Sequence, residues 1–476
     1  MRSTVLSGGA PVYDRQREWQ ELDRAWKSGK PELLIAAGRR RAGKSYLLSH
    51  YLQGKRGLYY QATKTTSKDQ LRTISQVVAT QFPQAGLQFA DGFADWDGFF
   101  AFIVQEAKHE PFLLILDELP YMLESIKGFG TVLQRVWDHT LPPTKIKLVL
   151  SGSYISAMRR LTAADQPLHG RKTGSMGFAP FSYWDAAAFI PNYTARERLI
   201  AYATFGGLPG HIAHLDPAEN IASNVAQHML RPGGRLADEA EHLFDAFLRD
   251  AGVHYSIVRA IAGGEHKWGK IMNAVGKETS SLTRPLEWLQ EMDVVTRMVP
   301  ITDASIGKSR KAIYRISDPY LAFWHRFVAP LRASGADDLM EPDALWQQFI
   351  APRLNDYMGP VFEVACRAFV GRYQNPRLPF QPVRIGEWWS DDSQEQVDVV
   401  ALGPDGEVLI GECKWGTVDR HDLETLERRR DLIVADLKGV SRVYLATFAG
   451  NPVTDPTMLE RIDAGDVLHF AFDDLY

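Results

Sequence analysis

One stretch near the start of the chain carries the clearest chemistry: Gly38-Arg39-Arg40-Arg41-Ala42-Gly43-Lys44-Ser45. It fits G-x-x-x-x-G-K-[ST] at each fixed position. The glycines let backbone N–H groups converge on phosphate oxygens. Lys44 sets a cation against the β- and γ-phosphates, and the Ser45 hydroxyl is suited to ligate Mg²⁺. A buried strand, Leu33–Ala37, precedes the loop, and a helix from Ser45 and Tyr46 to Leu52 follows it. The helix N-terminus adds partial positive charge where an anion would sit. The segment Gly38–Tyr46 is therefore assigned to ATP, with no catalytic role given to Arg39, Arg40 and Arg41.

Phe112-Leu-Leu-Ile-Leu-Asp117-Glu118 supplies the other half of such a site. Its apolar run reads as a central strand, and ligands of open α/β sheets bind at the carboxyl ends of strands. Asp117 is expected to hold Mg²⁺ through water, and Glu118 to activate the attacking water. A further strand, Lys147–Gly152, ends in hydroxyls. Ser151 or Ser153 could sense the γ-phosphate there; Ser151 is placed in the nucleotide set, with a plain turn as the competing reading. Arg171, in His169-Gly170-Arg171, could contact nucleotide or act as an arginine finger, and an ordinary surface arginine fits about as well.

A second cluster lies near the other end. Val397–Leu402 reads as a strand, Gly403–Gly406 as a turn and Glu407–Trp415 as the returning strand. Side chains two apart share a face of a strand, so Glu412 and Lys414 point together. The hairpin can bring Asp398 beside them, and Glu363 lies on a predicted helix upstream. Two or three carboxylates around a lysine make an oxygen site suited to Mg²⁺. Such a site can lower the pKa of a water that Lys414 would orient or help activate. A degenerate site used only for docking is the competing reading.

The elements that must position these residues follow from patterning. Strand-like runs at Glu32–Ala37, Gly57–Gln61, Phe112–Asp117, Lys147–Gly152 and Ser175–Ala179 alternate with amphipathic stretches. That alternation implies a parallel sheet covered by helices. The expected organisation is an ATPase core over 1–192, a helical lid over 193–250, a winged helix over 251–330 and a separate α/β unit over 331–476. The winged helix rests on helices at Tyr255–Ala262, Trp268–Val275 and Ser281–Glu291, then a hairpin from Val294–Val299 to Lys311–Ile316. Residues 251–330 hold 11 Lys and Arg against 7 Asp and Glu. Arg297, Lys308, Arg310, Lys311 and Arg315 sit on the hairpin, while Lys277 and Arg284 flank the last helix. A basic wing suits the phosphate backbone of DNA; a lid or protein contact competes with that reading.

Composition narrows the classes. The net charge of −4 conceals a division: residues 331–476 carry 14 Lys and Arg against 26 Asp and Glu, or −12, leaving 40 against 32, or +8, for the rest. The acidic part would repel DNA unless the basic part or a partner supplied the phosphate contacts. Two cysteines 47 positions apart, Cys366 and Cys413, exclude zinc fingers and a disulfide framework and favour a reducing, cytoplasmic setting. No secretory h-region is visible in Met1–Pro11, and no uncharged apolar run reaches the ~18 residues of a membrane span.

Taken together, the loop, the Leu-Asp-Glu strand, Tyr13-Asp-Arg-Gln-Arg-Glu-Trp19, His169-Gly-Arg171 with Pro180-Phe181, and Gly206-Gly-Leu-Pro209 resemble the archaeal-type ATPase family. This family falls in the STAND/AAA+-like branch of P-loop NTPases, and the resemblance runs over essentially the whole chain. It implies that the lid turn approaches the nucleotide through Gly207 and Pro209, and that Val12–Arg15 help form the base pocket. It also implies a switch in which nucleotide state sets the packing of later domains, with a protein partner or homo-oligomer in view. The Asp398, Glu412-x-Lys414 layout with Glu363 before it resembles the PD-(D/E)xK nuclease superfamily, which implies a restriction-endonuclease-like fold and a Mg²⁺-dependent nuclease.

Overall fold

The computed structural model describes residues 4–5, 11–12, 14–84, 92–245, 251–303 and 309–476. Tyr13 and Lys308, both singled out above, lie outside them, as do the last residues of the expected lid. The chain forms two compact units. Unit 1 comprises Met1–Pro180 with Leu208–Gly210, and unit 2 comprises Phe181–Gly207 with His211–Tyr476.

Unit 1 is a five-stranded parallel sheet with helices on both faces. Its elements are α1 (Gln16–Lys27), β1 (Glu32–Gly38), α2 (Lys44–Leu52), β2 (Gly57–Gln61), α3 (Ser67–Gln81), α4 (Trp96–Ala107), β3 (Phe112–Asp117), α5 (Leu119–Ser125), α6 (Phe129–Arg135), β4 (Ile146–Gly152), α7 (Ile155–Arg160) and β5 (Gly174–Phe178). The strand order is β2-β3-β4-β1-β5. Alternation along β1 divides the core. Leu33 and Ile35 pack with the aromatic side of α4, whereas Leu34 and Ala36 pack with α1 and α2. Both sides being apolar, β3 and β4 are buried along their whole length. All five strands fall within a residue or so of the sequence reading, and for β1, β3 and β4 that is because a doubly covered sheet requires continuous apolar runs of this length.

Unit 2 contains α8 (Ala195–Phe205), then α9 (Gly252–Ala262), α10 (Trp268–Val275), α11 (Thr279–Glu291) and a hairpin of β6 (Val295–Met298) with β7 (Ile313–Ile316). Farther on come α12 (Pro319–Phe323), α13 (Leu354–Val370), β8 (Arg384–Trp389), β9 (Gln396–Leu402), β10 (Glu407–Lys414), α14 (Arg420–Asp436), β11 (Arg442–Ala449), α15 (Pro456–Asp463) and β12 (Val467–Ala471). The last five strands form one sheet in the order β8-β9-β10-β11-β12. β8–β9–β10 run antiparallel, whereas β11 and β12 join parallel. The region after 331 shares one of its apolar clusters with the helical segment. Tyr183, Leu199 and Ala203 of the helical segment share an apolar cluster with Met358, Phe362 and Phe369 of α13 and Phe448 and Phe470 of the sheet. Arg196 stacks 3.9 Å from the Trp415 ring centre, and Arg372 stacks 3.6 Å from that of Trp184. No described helix is long and apolar enough to cross a membrane.

Candidate functional site

The loop between β1 and α2 owes its shape to two backbone positions. Arg41 (φ 66°) and Gly43 (φ 87°) both adopt the left-handed region, folding the chain back before α2 begins at Lys44. Gly38 is needed for a different reason: a Cβ there would lie 2.5 Å from the Phe178 carbonyl oxygen of β5. Arg15 fastens the outside of the loop. Its Nη2 donates to the Ala42 oxygen (3.1 Å) and the Ala179 oxygen (2.8 Å), with the guanidinium over the Phe178 ring. Of the stretch implied to line a base pocket, Arg15 is thus engaged with backbone. The segment Leu208–Gly210 returns to the same loop. Gly210 N–H donates to the Arg41 oxygen (3.1 Å), and a Cβ on Gly43 would stand 3.8 Å from Pro209 Cγ.

Lys44 is 4% exposed. Its Nζ donates to the Gly38 oxygen (2.7 Å), the Arg39 oxygen (3.0 Å) and Ser153 Oγ (3.1 Å). Burial lowers the lysine's pKa, and the charges of Glu118 and Asp117 oppose that shift without cancelling it. Ser45 Oγ donates to Asp117 Oδ2 (2.5 Å), and so does the Tyr59 hydroxyl (2.6 Å) from β2. Asp117 Oδ1 accepts from Glu118 N–H (3.0 Å). Three donors therefore fix this carboxylate at the end of β3. Tyr59 is a member that sequence reasoning missed. Burial, then Asp117, pushes its hydroxyl above the usual tyrosine range, so it stays a donor. The donor set suits Mg²⁺, a hard cation that takes one hydroxyl, one carboxylate and otherwise water and phosphate oxygens.

Glu118 has φ 51°, a strained value for a residue with a side chain. The turn directs its carboxylate to Ser153: Oε1 accepts from Ser153 Oγ (2.5 Å) and Oε2 from Ser153 N–H (3.2 Å). One hydroxyl therefore bridges Lys44 and Glu118. Ser151, chosen from the sequence, holds a different place. It is fully buried, pairs with Ala36 in the sheet, and its Oγ has no hydrogen-bond partner among the described residues. The two serines share a strand parity, but β4 ends at Gly152, so only Ser153 leaves the sheet. Arg171 is engaged elsewhere: Nε and Nη2 grip Asp138 (2.8 and 2.7 Å), and Nη1 donates to the Pro167 and His169 oxygens (3.0 Å each). Arg39 is buried, Arg40 is exposed, and Tyr46 lies against His50 at 4.1 Å.

In unit 2, Asp398 Oδ2 accepts from Cys413 N–H (3.0 Å). Lys414 Nζ reaches Glu412 (3.0 Å) and Asp422 (3.1 Å), while Arg429 takes the other oxygen of Glu412 (3.2 Å). Glu363 lies 3.9 Å from Arg367. Burial, then Glu363 and Glu412, raises the Asp398 pKa well above the carboxylate range; burial likewise raises that of Glu363. Burial works to lower the pKa of Lys414, yet Glu412 and Asp422 outweigh it and hold it above the lysine range. The three carboxylates are neighbours, but no three His, Cys, Asp or Glu among the described residues are arranged to hold a metal ion. Guanidinium and ammonium groups stand against Glu363 and Glu412, whereas Arg367 reaches the Asp398 backbone oxygen. Of the hairpin cations, Arg310 is exposed and three others are engaged. Arg315 pairs with Glu387 (2.6 Å), Lys311 pairs with Asp391, and Arg297 donates to the Ser309 oxygen (2.8 Å).

Unit 1 has the parallel sheet and phosphate loop of a P-loop ATPase domain, and the protein is an ATPase. Residues 12–215 match the model of an ATPase domain predominantly from Archaea. Residues 324–426 match a family of archaeal and bacterial proteins of unknown function. The chain is 27% identical over 418 residues to the uncharacterized protein MJECL04 of Methanocaldococcus jannaschii, covering 87% of this chain and 90% of that one. Its fold is similar to the Walker-type ATPase PABY2304 of Pyrococcus abyssi, with a TM-score of 0.51, 20% identity, and coverage of 66% of this chain and 96% of that one.

Proposed function

We propose that the protein is a regulatory ATPase in which Ser153, itself linked to the phosphate-binding Lys44, positions the catalytic base Glu118. Loop amides and Lys44 would carry the phosphate charge, and Ser45 and Asp117 would hold Mg²⁺ with Tyr59 steadying the carboxylate. Bound Mg²⁺ neutralises charge building on the phosphate oxygens. Glu118 serves as the base for the attacking water. The observation that carries the reading is the Lys44–Ser153–Glu118 chain. A lysine that turns to a phosphate gives up Ser153, and the serine's hold on Glu118 changes with it. Hydrolysis of MgATP by wild type, Lys44→Ala and Glu118→Gln tests this; activity that both variants retain in full would end it.

For unit 2 we propose docking of a protein or DNA partner rather than cutting. The succession of α13, three antiparallel strands, α14 and a parallel strand, with Glu412-x-Lys414, is what supports a nuclease-like ancestry. What favours docking is that Glu412 already faces Lys414 and Arg429. Should DNA be the partner, the exposed cations Lys270, Lys277 and Arg284 of α10 and α11 and their connection, with Arg310, are better placed to meet phosphate than the paired Lys311 and Arg315. A nucleotide-dependent change in oligomeric size or partner binding, without Mg²⁺- or Mn²⁺-dependent cleavage of DNA or RNA, is the expected result. Cleavage abolished by Asp398→Ala would refute it.

A further inference from the structure

Glu387 belongs to no motif visible in the sequence, yet it is the most completely enclosed acid of the C-terminal sheet. It lies on the edge strand β8 with its side chain 0% exposed. Its Oε1 meets Arg315 of β7 at 2.6 Å and Arg367 of α13 at 2.6 Å. Arg367 also donates to the Asp398 backbone oxygen (2.6 Å) and stands 3.9 Å from Glu363. From these contacts we infer that Arg315, Glu387 and Arg367 form an internal latch. It docks the β6–β7 hairpin on the sheet edge, and its guanidinium groups take the counter-ion role that a divalent metal has in a nuclease-like carboxylate cluster.

The surroundings of the pair fit a built interface. Ile301, just past β6, donates its N–H to the Glu387 backbone carbonyl (2.8 Å), and its own carbonyl accepts from Arg384 (2.7 Å). Trp389 Nε1 donates to the Lys311 oxygen (3.2 Å), and Lys311 pairs with Asp391. Ile301 packs with Trp388 and Val397 in the apolar cluster beneath. A Cβ at Gly386 would lie 3.2 Å from Ile301 Cβ, so the two segments approach as closely as a glycine permits. A buried carboxylate is tolerated only when cations and hydrogen bonds replace its water. Here the chain supplies two guanidinium groups to Oε1, which a divalent ion would have to displace there, while Oε2 is buried with no hydrogen-bond partner among the described residues.

The inference deepens the docking reading and rests on it, so the experiment has two arms. The full chain without nucleotide is used, carrying Asp117→Asn so that the phosphate-loop carboxylate adds no cation site. In the first arm, MnCl₂ is titrated calorimetrically, and no saturable uptake is expected. In the second, amide hydrogen exchange is followed in Glu387→Gln and Arg315→Met. Exchange at 295–298 and 313–316 should quicken by more than about tenfold, while 407–414 and 442–449 keep their protection. If Glu387→Gln loosens the whole sheet, Arg315→Lys decides: retained charge should restore part of the hairpin protection that Arg315→Met loses. Saturable Mn²⁺ binding that Asp398→Asn removes would overturn the counter-ion role and the docking reading together. Unchanged hairpin exchange in both variants, with no Mn²⁺ uptake, would overturn the latch alone.

Discussion

Ser151→Ala and Ser153→Ala delete the same atom two residues apart, and the geometry assigns them opposite consequences. Ser153 Oγ holds the Glu118 carboxylate at 2.5 Å and accepts from Lys44 at 3.1 Å. A hydrogen bond to a charged group is worth about 1.5–3 kcal/mol. If the Glu118 bond positions the base for the attacking water, losing it lowers kcat by roughly 10- to 100-fold. The KM for ATP should move by less than about threefold, since the loop amides and Lys44 remain. Ser151 Oγ is buried without a hydrogen-bond partner among the described residues, a state that costs about 1–3 kcal/mol, so its removal relieves as much as the small void takes back. Its kcat should stay within about twofold of wild type, with the melting temperature unchanged or raised. Continuous phosphate-release kinetics with MgATP measures both. A Ser153→Ala enzyme at wild-type kcat, or equal losses in the two variants, would refute the reasoning.

Three further outcomes follow. Arg15→Met leaves the Ala42 and Ala179 oxygens without their donor; a stability loss of about 1–3 kcal/mol with a raised KM for ATP is expected from denaturation and kinetics. His325 is buried in unit 2, and burial, aided by Arg259, pushes its pKa down to about 4 from 6.5. The folded state therefore prefers the neutral ring: its contribution is whole above pH ~6.5 and is lost as pH falls toward ~4, by about 3 kcal/mol at most. Urea titrations at pH 7 and 4.5 should show a smaller loss in His325→Leu than in wild type. Charge reversal at Lys277 and Arg284 should weaken salt-dependent duplex binding more than reversal at Lys311, read by fluorescence anisotropy.

Unit 1 was largely legible because its signals are local. Apolar runs of strand length and a fixed-spacing loop depend on neighbours in sequence, and β1, β3 and β4 needed nothing more. Tyr59 was not legible: an aromatic residue on a strand reads as core, and only the adjacency of β2 to β3 brings its hydroxyl to Asp117. Choosing between Ser151 and Ser153 required knowing that the sheet ends at Gly152. In unit 2, β8 and β12 escaped notice. β8 carries Arg384 and a buried Glu387, which break the alternation, and β12 is a short run following α15. The pairing of the hairpin cations Arg315 and Lys311 was not legible either, since Glu387 and Asp391 lie more than 70 positions away in the chain. Pairing of charges across that distance leaves no trace in composition.

The central claim is that Glu118 acts as the base of an ATP site built by Lys44, Ser45 and Asp117. The most direct measurement compares ATP affinity and single-turnover hydrolysis in wild type and Glu118→Gln. The account predicts that the variant binds MgATP with affinity within a fewfold of wild type while hydrolysis falls by at least about 100-fold. Hydrolysis at the wild-type rate in the variant would contradict it.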